Sequence, residues 1–229
     1  MTREGTLFIV ATPVGNLGDI TLRALEVLRS VDAVLAEDTR RTTGLLTHYD
    51  IKKPLISFFE GNEERKISEV LEQLKKGGKI ALVSDAGTPL ISDPGFKLVR
   101  EVIKQGIKVD SIPGPSAAIV ALTISGLPPD KFIFLGYLPK TPGKAQKVIE
   151  HIKKILEIQN MTVILFESPY RLIKTLILIK QNLGNITIVV CRELTKVHQE
   201  VRRENISDVL AHFEKVAPKG EFTILFNRV

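Results

Sequence analysis

Short apolar runs alternate with amphipathic stripes of helical length through the first half of the chain. That alternation limits the possible folds more than any other feature. Leu7-Phe8-Ile9-Val10 is followed by a stripe at Leu22, Leu25, Leu28 and Val31, then by Ala33-Val34-Leu35-Ala36. A second stripe at Ile67, Val70, Leu71 and Leu74 ends at Gly77-Gly78 and leads into Ile80-Ala81-Leu82-Val83. A third, at Phe96, Val99, Val102 and Ile103, stops at Gly106 before Val109–Ile112. A run of four apolar residues has no polar face, so each predicted strand must be covered on both sides. Strands buried in this way and separated by helices predict a parallel sheet between two helical layers, an α/β fold.

The second half repeats the class without repeating the sequence. Gly126-Leu127-Pro128-Pro129-Asp130 is the strongest break, and it predicts domains at 1–126 and 127–229. Strands are predicted at Phe132–Leu135, Thr162–Phe166, Ile186–Val190 and Phe222–Phe226, with an antiparallel edge strand in Val197–Arg203. Asp93-Pro94 and Ser168-Pro169 each read as an N-cap followed by proline at the first helical position. Asn62 and Ser207 read as further N-caps.

At 229 residues the chain allows one large domain or two of about a hundred residues each. No apolar run approaches the ~20 residues of a membrane helix. The N-terminal segment reads as a first strand rather than a signal peptide, so a cytoplasmic protein is expected. A single cysteine, Cys191, leaves no internal disulfide and no thiolate cage, and the four histidines are scattered. No metal site is expected. The formal net charge of +6 favours a polyanionic partner, though lysines paired with glutamates on helix faces account for part of it.

Chemistry is concentrated in the turns that follow the apolar runs. Ser84–Gly95, SDAGTPLISDPG, is the longest, and a polar turn at the carboxyl end of a buried strand is where open α/β sheets bind ligands. An ordinary strand-to-helix connection also needs a cap and a glycine, so this stretch gains meaning only beside the others. They are Thr12–Asp19, Glu37–Arg40 and Pro113–Ala117. Gly15-Asn16-Leu17-Gly18 is neither a dinucleotide fingerprint nor a phosphate-binding P-loop. Gly114-Pro115-Ser116-Ala117-Ala118 lacks the second glycine of a nucleophile elbow. What remains is a surface of hydrogen-bonding groups and carboxylates. It suits a ligand with a hydroxylated sugar, an amine and a flat base better than a bare phosphate.

ATPVGNLGD, AEDTR, LVSDAGTPLISDPG, IPGPSAA, FESPYR and RELTK occur in this order from Leu7 to Phe226. In that order and spacing they resemble the tetrapyrrole methylase superfamily, and within it the members that methylate ribosomal RNA. The resemblance implies a class III methyltransferase of two consecutive α/β domains with a cofactor cleft between them, and a homodimer. It implies S-adenosylmethionine as cofactor. It also implies 2′-O-methylation of a cytidine in small-subunit (16S) ribosomal RNA near the decoding centre, within the small ribosomal subunit. By the same likeness the cofactor is contacted by Pro13, Asp85, Gly87, Thr88, Ser116 and Ala117, and by Leu165, Phe166, Cys191 and Arg192 of the second domain. The chain departs from the pattern at Phe58-Phe59-Glu60-Gly61-Asn62-Glu63 and at Tyr170, where related chains often carry histidine. It stops at Val229, where many related chains extend further. The expectation is therefore that RNA is held here without those groups.

Methyl transfer from a sulfonium is an in-line displacement governed by alignment, and a ribose hydroxyl needs help to lose its proton. The candidates for that base are Glu37, Asp38 and a Lys196 whose pKa is lowered by burial. Arg40 is the candidate for steering a phosphate, or else it pairs with a carboxylate within a capped turn. Two other readings stay open. One keeps the cofactor and replaces RNA by a tetrapyrrole, and the other is a non-enzymatic nucleotide- or RNA-binding module on the same fold.

Overall fold

The computed structural model describes residues 4–227. They form two compact units, the first ending at Ser116 and the second beginning at Ala117. Sequence reading put the division at Gly126. The difference is the helix α5 (Ala117–Ser125), which packs against strands of the second sheet. Its sequence, AAIVALTIS, is almost wholly apolar, and Ala118, Ala121, Leu122 and Ser125 are buried, so it belongs to a core rather than to an exposed linker.

The first unit is a five-stranded parallel sheet. Its strands are β1 (Thr6–Val10), β2 (Ala33–Ala36), β3 (Leu55–Ser57), β4 (Lys79–Leu82) and β5 (Lys108–Ile112), in the order β3-β2-β4-β1-β5. Helices α1 (Leu22–Ser30), α2 (Thr39–His48), α3 (Glu63–Lys75) and α4 (Phe96–Lys104) connect them. Alternate strand residues point to opposite faces, and both faces are filled. Val10, Val34, Ala36 and Ala81 pack with Leu25 and Leu28 of α1. Ile9, Leu35, Ile80 and Leu82 pack with Val70 and Leu74 of α3 and with Leu98 and Val102 of α4. This accounts for the continuous apolar runs. On α4 the burial differs from expectation, because Leu98 faces in while Phe96 and Ile103 are exposed.

The second unit has a five-stranded mixed sheet. Its strands are β6 (Phe132–Tyr137), β7 (Thr162–Glu167), β8 (Thr187–Arg192), β9 (Glu200–Asn205) and β10 (Phe222–Phe226), ordered β6-β7-β10-β8-β9. β6 and β7 are parallel, and β10 runs antiparallel between β7 and β8. β9 is the antiparallel edge strand expected in Val197–Arg203, but it starts at Glu200 and runs on to Asn205. Helices α6 (Pro142–Ile158), α7 (Leu172–Leu183) and α8 (Ile206–Lys215) supply the apolar cover of this sheet.

Three of the four predicted caps are displaced. α4 is capped by Gly95 at φ 122°, not by Asp93. α7 begins at Leu172, and the Ser168 amide is instead taken by the Glu167 carboxylate at 2.8 Å. Asn62 does occupy the N-cap of α3, but its side chain turns back to the Phe59 amide and the Ser57 carbonyl. Ser207 lies one residue inside α8 and donates to Asn185. Among the described residues no helix is long and apolar enough to cross a membrane.

Candidate active site

In a parallel sheet all strand ends of one sense share an edge, so the turns after β1, β2, β4 and β5 are neighbours. They are tied to one another by main-chain and side-chain hydrogen bonds. The Thr12 amide donates to the Gly87 carbonyl at 2.8 Å, and the Gly87 amide returns a bond to Thr12 at 3.1 Å. The Thr12 hydroxyl reaches the Ser84 carbonyl at 3.1 Å. The Thr88 hydroxyl donates to the Pro115 carbonyl at 2.9 Å, which joins the β4 and β5 turns. Gly87 adopts φ 77°, a left-handed conformation that glycine enters without a Cβ penalty.

Asp85 is the link to the β2 turn. One of its carboxylate oxygens accepts the Asp38 amide at 3.0 Å, and the other lies 3.6 Å from the Arg41 guanidinium. A cleft of about 420 Å³ opens beside it, lined by Thr12, Pro13, Val14, Arg41, Thr42 and Asp85 among others. That volume lies within the range of small-molecule sites, ~300–1,000 Å³. Arg41 and Thr42 enter it because Thr39–His48 is a helix, which turns Arg41 towards Asp85 and leaves Arg40 outside. The sequence reading had no helix there. A capping Asp38 three residues before an Arg-Thr face is the signal that would have found it.

Asp85, which lines this cleft, is coupled to two further carboxylates, Glu37 and Asp93. Burial raises the Glu37 pKa, and repulsion from Asp85 adds to it, while Arg41 opposes both. Burial also pushes Asp93 up to about 7, with Glu37 and Asp85 contributing and a hydrogen bond from Ser84 working the other way. Asp93 is therefore drawn into the acidic group rather than used as a helix cap. Among the described residues no group of three or more His, Cys, Asp or Glu could hold a metal ion.

Two of the four proposed catalytic residues, Asp38 and Lys196, are placed otherwise than expected, and Arg40 takes the second of its two readings. Asp38 caps α2 and takes the Arg40 guanidinium through two oxygens at 3.0 and 2.7 Å. Its side-chain hydrogen bonds to Arg40 hold the carboxyl far below the usual carboxylate range, so it is a poor proton acceptor. Arg40 is correspondingly engaged on the surface, the capped turn with an internal pair that formed the alternative reading. Lys196 is not a low-pKa amine. Burial works to lower its pKa, but hydrogen bonds to Glu193 at 2.9 Å and Glu221 at 3.0 Å outweigh burial and raise it. Glu37 alone of the four is a half-buried carboxylate with a raised proton affinity.

The remaining candidates fall in two groups. Pro13, Asp85, Gly87, Thr88 and Ser116 lie on the tied turns of the first unit. Ala117 opens α5 in the second unit. Leu165, Phe166, Cys191 and Arg192 lie near the ends of β7 and β8, where Phe166 and Cys191 both pair with Thr223 of β10. Leu165 is wholly buried in the core, so its side chain is unavailable to a ligand. Burial pushes the Cys191 thiol up to about 11, which makes it an inert core group.

A parallel α/β unit with a ligand-sized cleft at its strand ends, followed by a mixed α/β unit, is a fold of the class III methyltransferase type. Among solved structures, a cobalt precorrin-4 methyltransferase has this fold, with a TM-score of 0.71 at 17% identity over 96% of this chain and 94% of that one. The chain belongs to the tetrapyrrole methylase family, since the family model described as Tetrapyrrole (Corrin/Porphyrin) Methylases matches residues 6–210. It is 50% identical over 223 residues to a Thermotoga maritima protein named ribosomal RNA small subunit methyltransferase I, covering 97% of this chain and 98% of that protein. A Bacillus subtilis protein of the same name is 43% identical over 221 residues, covering 96% of this chain and 74% of its own.

Proposed function

We propose that this protein transfers a methyl group from S-adenosylmethionine to the ribose 2′-hydroxyl of a cytidine in small-subunit ribosomal RNA, near the decoding centre. The observation that carries the reading is the 50% identity, over nearly the full length of both chains, to a protein named for methylation of that RNA. The structural neighbour named for precorrin shares only 17% of its residues, which supports a common fold and leaves the tetrapyrrole acceptor with less weight. A ribosomal substrate would place the protein in the cytoplasm, and a homodimer is its proposed working form.

The donor set fits the cofactor. S-adenosylmethionine carries a sulfonium and an ammonium, and the cleft is lined by the carboxylate of Asp85, to which Glu37 and Asp93 are electrostatically coupled. When bound, the cofactor supplies an electrophilic methyl on a good leaving group. Asp85, already fixed by the Asp38 amide and Arg41, holds cationic or hydroxyl groups without reorganising. Pro13, Gly87, Thr88, Ser116 and Ala117 offer main-chain groups and small side chains that let the ligand approach closely. Glu37 takes the proton of the 2′-hydroxyl as the oxygen attacks. Its raised proton affinity brings it nearer to that task than an ordinary carboxylate.

The test is transfer of labelled methyl to undermethylated small subunits and, in parallel, to free RNA, followed by nucleoside separation. Label in 2′-O-methylcytidine is expected. Label in a porphyrinoid and none in RNA would replace this reading by the tetrapyrrole one. Cofactor binding with no transfer to either would leave a binding module.

A further inference from the structure

Tyr170 is 91% exposed at the turn after β7, an unusual position for a large aromatic ring. Its surroundings are built rather than accidental. Arg171 donates to the Leu138 carbonyl at 2.8 Å and to the Pro139 carbonyl at 3.2 Å, which pins the β6–α6 turn against the β7–α7 turn. Tyr137, half-exposed, lies edge-to-face on Phe166 at 5.9 Å, and Phe166 in turn meets Phe134 at 4.8 Å. The pinned turn carries Lys140 and, at the start of α6, Lys144. Both are exposed, and neither is in an ion pair among the described residues.

The cations after β8 differ. Arg192 is bonded to the Lys219 carbonyl and Glu200, and Lys196 to Glu193 and Glu221. Uncompensated positive charge therefore sits at the β6–β7 end of this edge, beside the two tyrosines. Exposed aromatic faces next to unpaired lysines are how proteins take up unstacked bases and the backbone that joins them. A protein partner would be served by the rings, but it would need an acidic face of its own to match the two lysines.

Resting on the ribosomal RNA reading, we infer that the β6–β7 edge of the second unit is a binding surface for single-stranded RNA, with Tyr170 as a base-stacking platform and Lys140 and Lys144 as phosphate contacts. Duplex RNA, whose bases are already stacked, lacks the free faces this surface takes.

The test measures binding of a fluorescein-labelled, unstructured RNA of about twelve nucleotides to the full chain by anisotropy, with a duplex of the same length as comparison. Tyr170→Ala should weaken single-strand binding about tenfold, while Tyr170→Phe, which keeps the ring, should retain it. Lys140→Glu should weaken binding and flatten its salt dependence. S-adenosylmethionine affinity, by calorimetry, should be unchanged in all three. Equal affinity of Tyr170→Ala and the parent chain overturns the inference, as does equal preference for duplex. A change of oligomeric state in Tyr170→Ala without loss of RNA affinity also overturns it and assigns the ring to a protein interface. Failure of the parent chain to methylate any RNA would instead strike the underlying reading, so the two failures are told apart.

Discussion

Thr12 and Gly87 exchange two backbone hydrogen bonds, 2.8 and 3.1 Å long, between the turn after β1 and the loop after β4. The pair is antiparallel although the strands feeding it are parallel. It ties the two turns together through main-chain groups, and Thr12 lines the cleft beside them.

Asp85→Ala should weaken S-adenosylmethionine binding by about 10- to 100-fold, the range expected for losing a charge-assisted contact of ~1.5–3 kcal/mol. It also releases Arg41 and leaves the Asp38 amide without its acceptor. Calorimetry gives the affinity, and thermal unfolding should show a fold that persists. Unchanged affinity would remove Asp85 from the site.

Asp93→Asn should change how stability depends on pH. In the folded chain Asp93 holds its proton up to about pH 7 because of burial and the nearby Glu37. The unfolded chain releases that proton near pH 4. The stabilisation is complete below about pH 4 and is lost as the pH rises towards 7. The variant should therefore be more stable than the parent at pH 8, by about 2 kcal/mol after solvent screening is discounted. Urea titrations at several pH values would show a flatter profile, and an unaltered profile would contradict the assignment.

Glu37→Gln should lower the rate of methyl transfer by about 100-fold or more while changing cofactor affinity much less. Single-turnover assays at saturating cofactor separate the two. Loss of binding with the chemical step intact would make Glu37 a ligand rather than a base.

Two glycines should respond differently to alanine. At Gly95, with φ 122°, a Cβ would lie 2.6 Å from the δ-carbons of Leu82 and Leu90. At Gly87, with φ 77°, its nearest neighbour would be the Pro115 carbonyl oxygen at 3.6 Å. Gly87→Ala carries conformational strain alone, about 1 kcal/mol. Gly95→Ala adds a core clash and should cost about 3 kcal/mol. Equal losses in chemical denaturation would contradict this.

Much of the fold was legible because the buried strands are chemically unambiguous. Ile80–Val83 and Ala33–Ala36 have no polar face, and only a sheet covered on both sides accommodates them. The helix Thr39–His48 was not legible, since four threonines and a glycine hide its stripe of Thr42, Leu45 and Leu46. That omission concealed Arg41. Asp93-Pro94 had the form of a cap, but Asp93 is held by Ser84 inside the acidic group, an interaction nine residues back that local pattern does not report. Lys196 was misjudged because burial alone was weighed, whereas Glu221 reaches it from a distant loop.

The position of β10 has a consequence for the order of events during synthesis. The strands of the first sheet are all present once Ile112 has been made, so that unit has its whole sheet early. The second sheet has no middle until Phe222–Phe226 arrives, because that strand lies between β7 and β8. A nascent chain that has reached β9 therefore carries two separate half-sheets with open inner edges, each needing shelter from other chains until the last strand closes the gap.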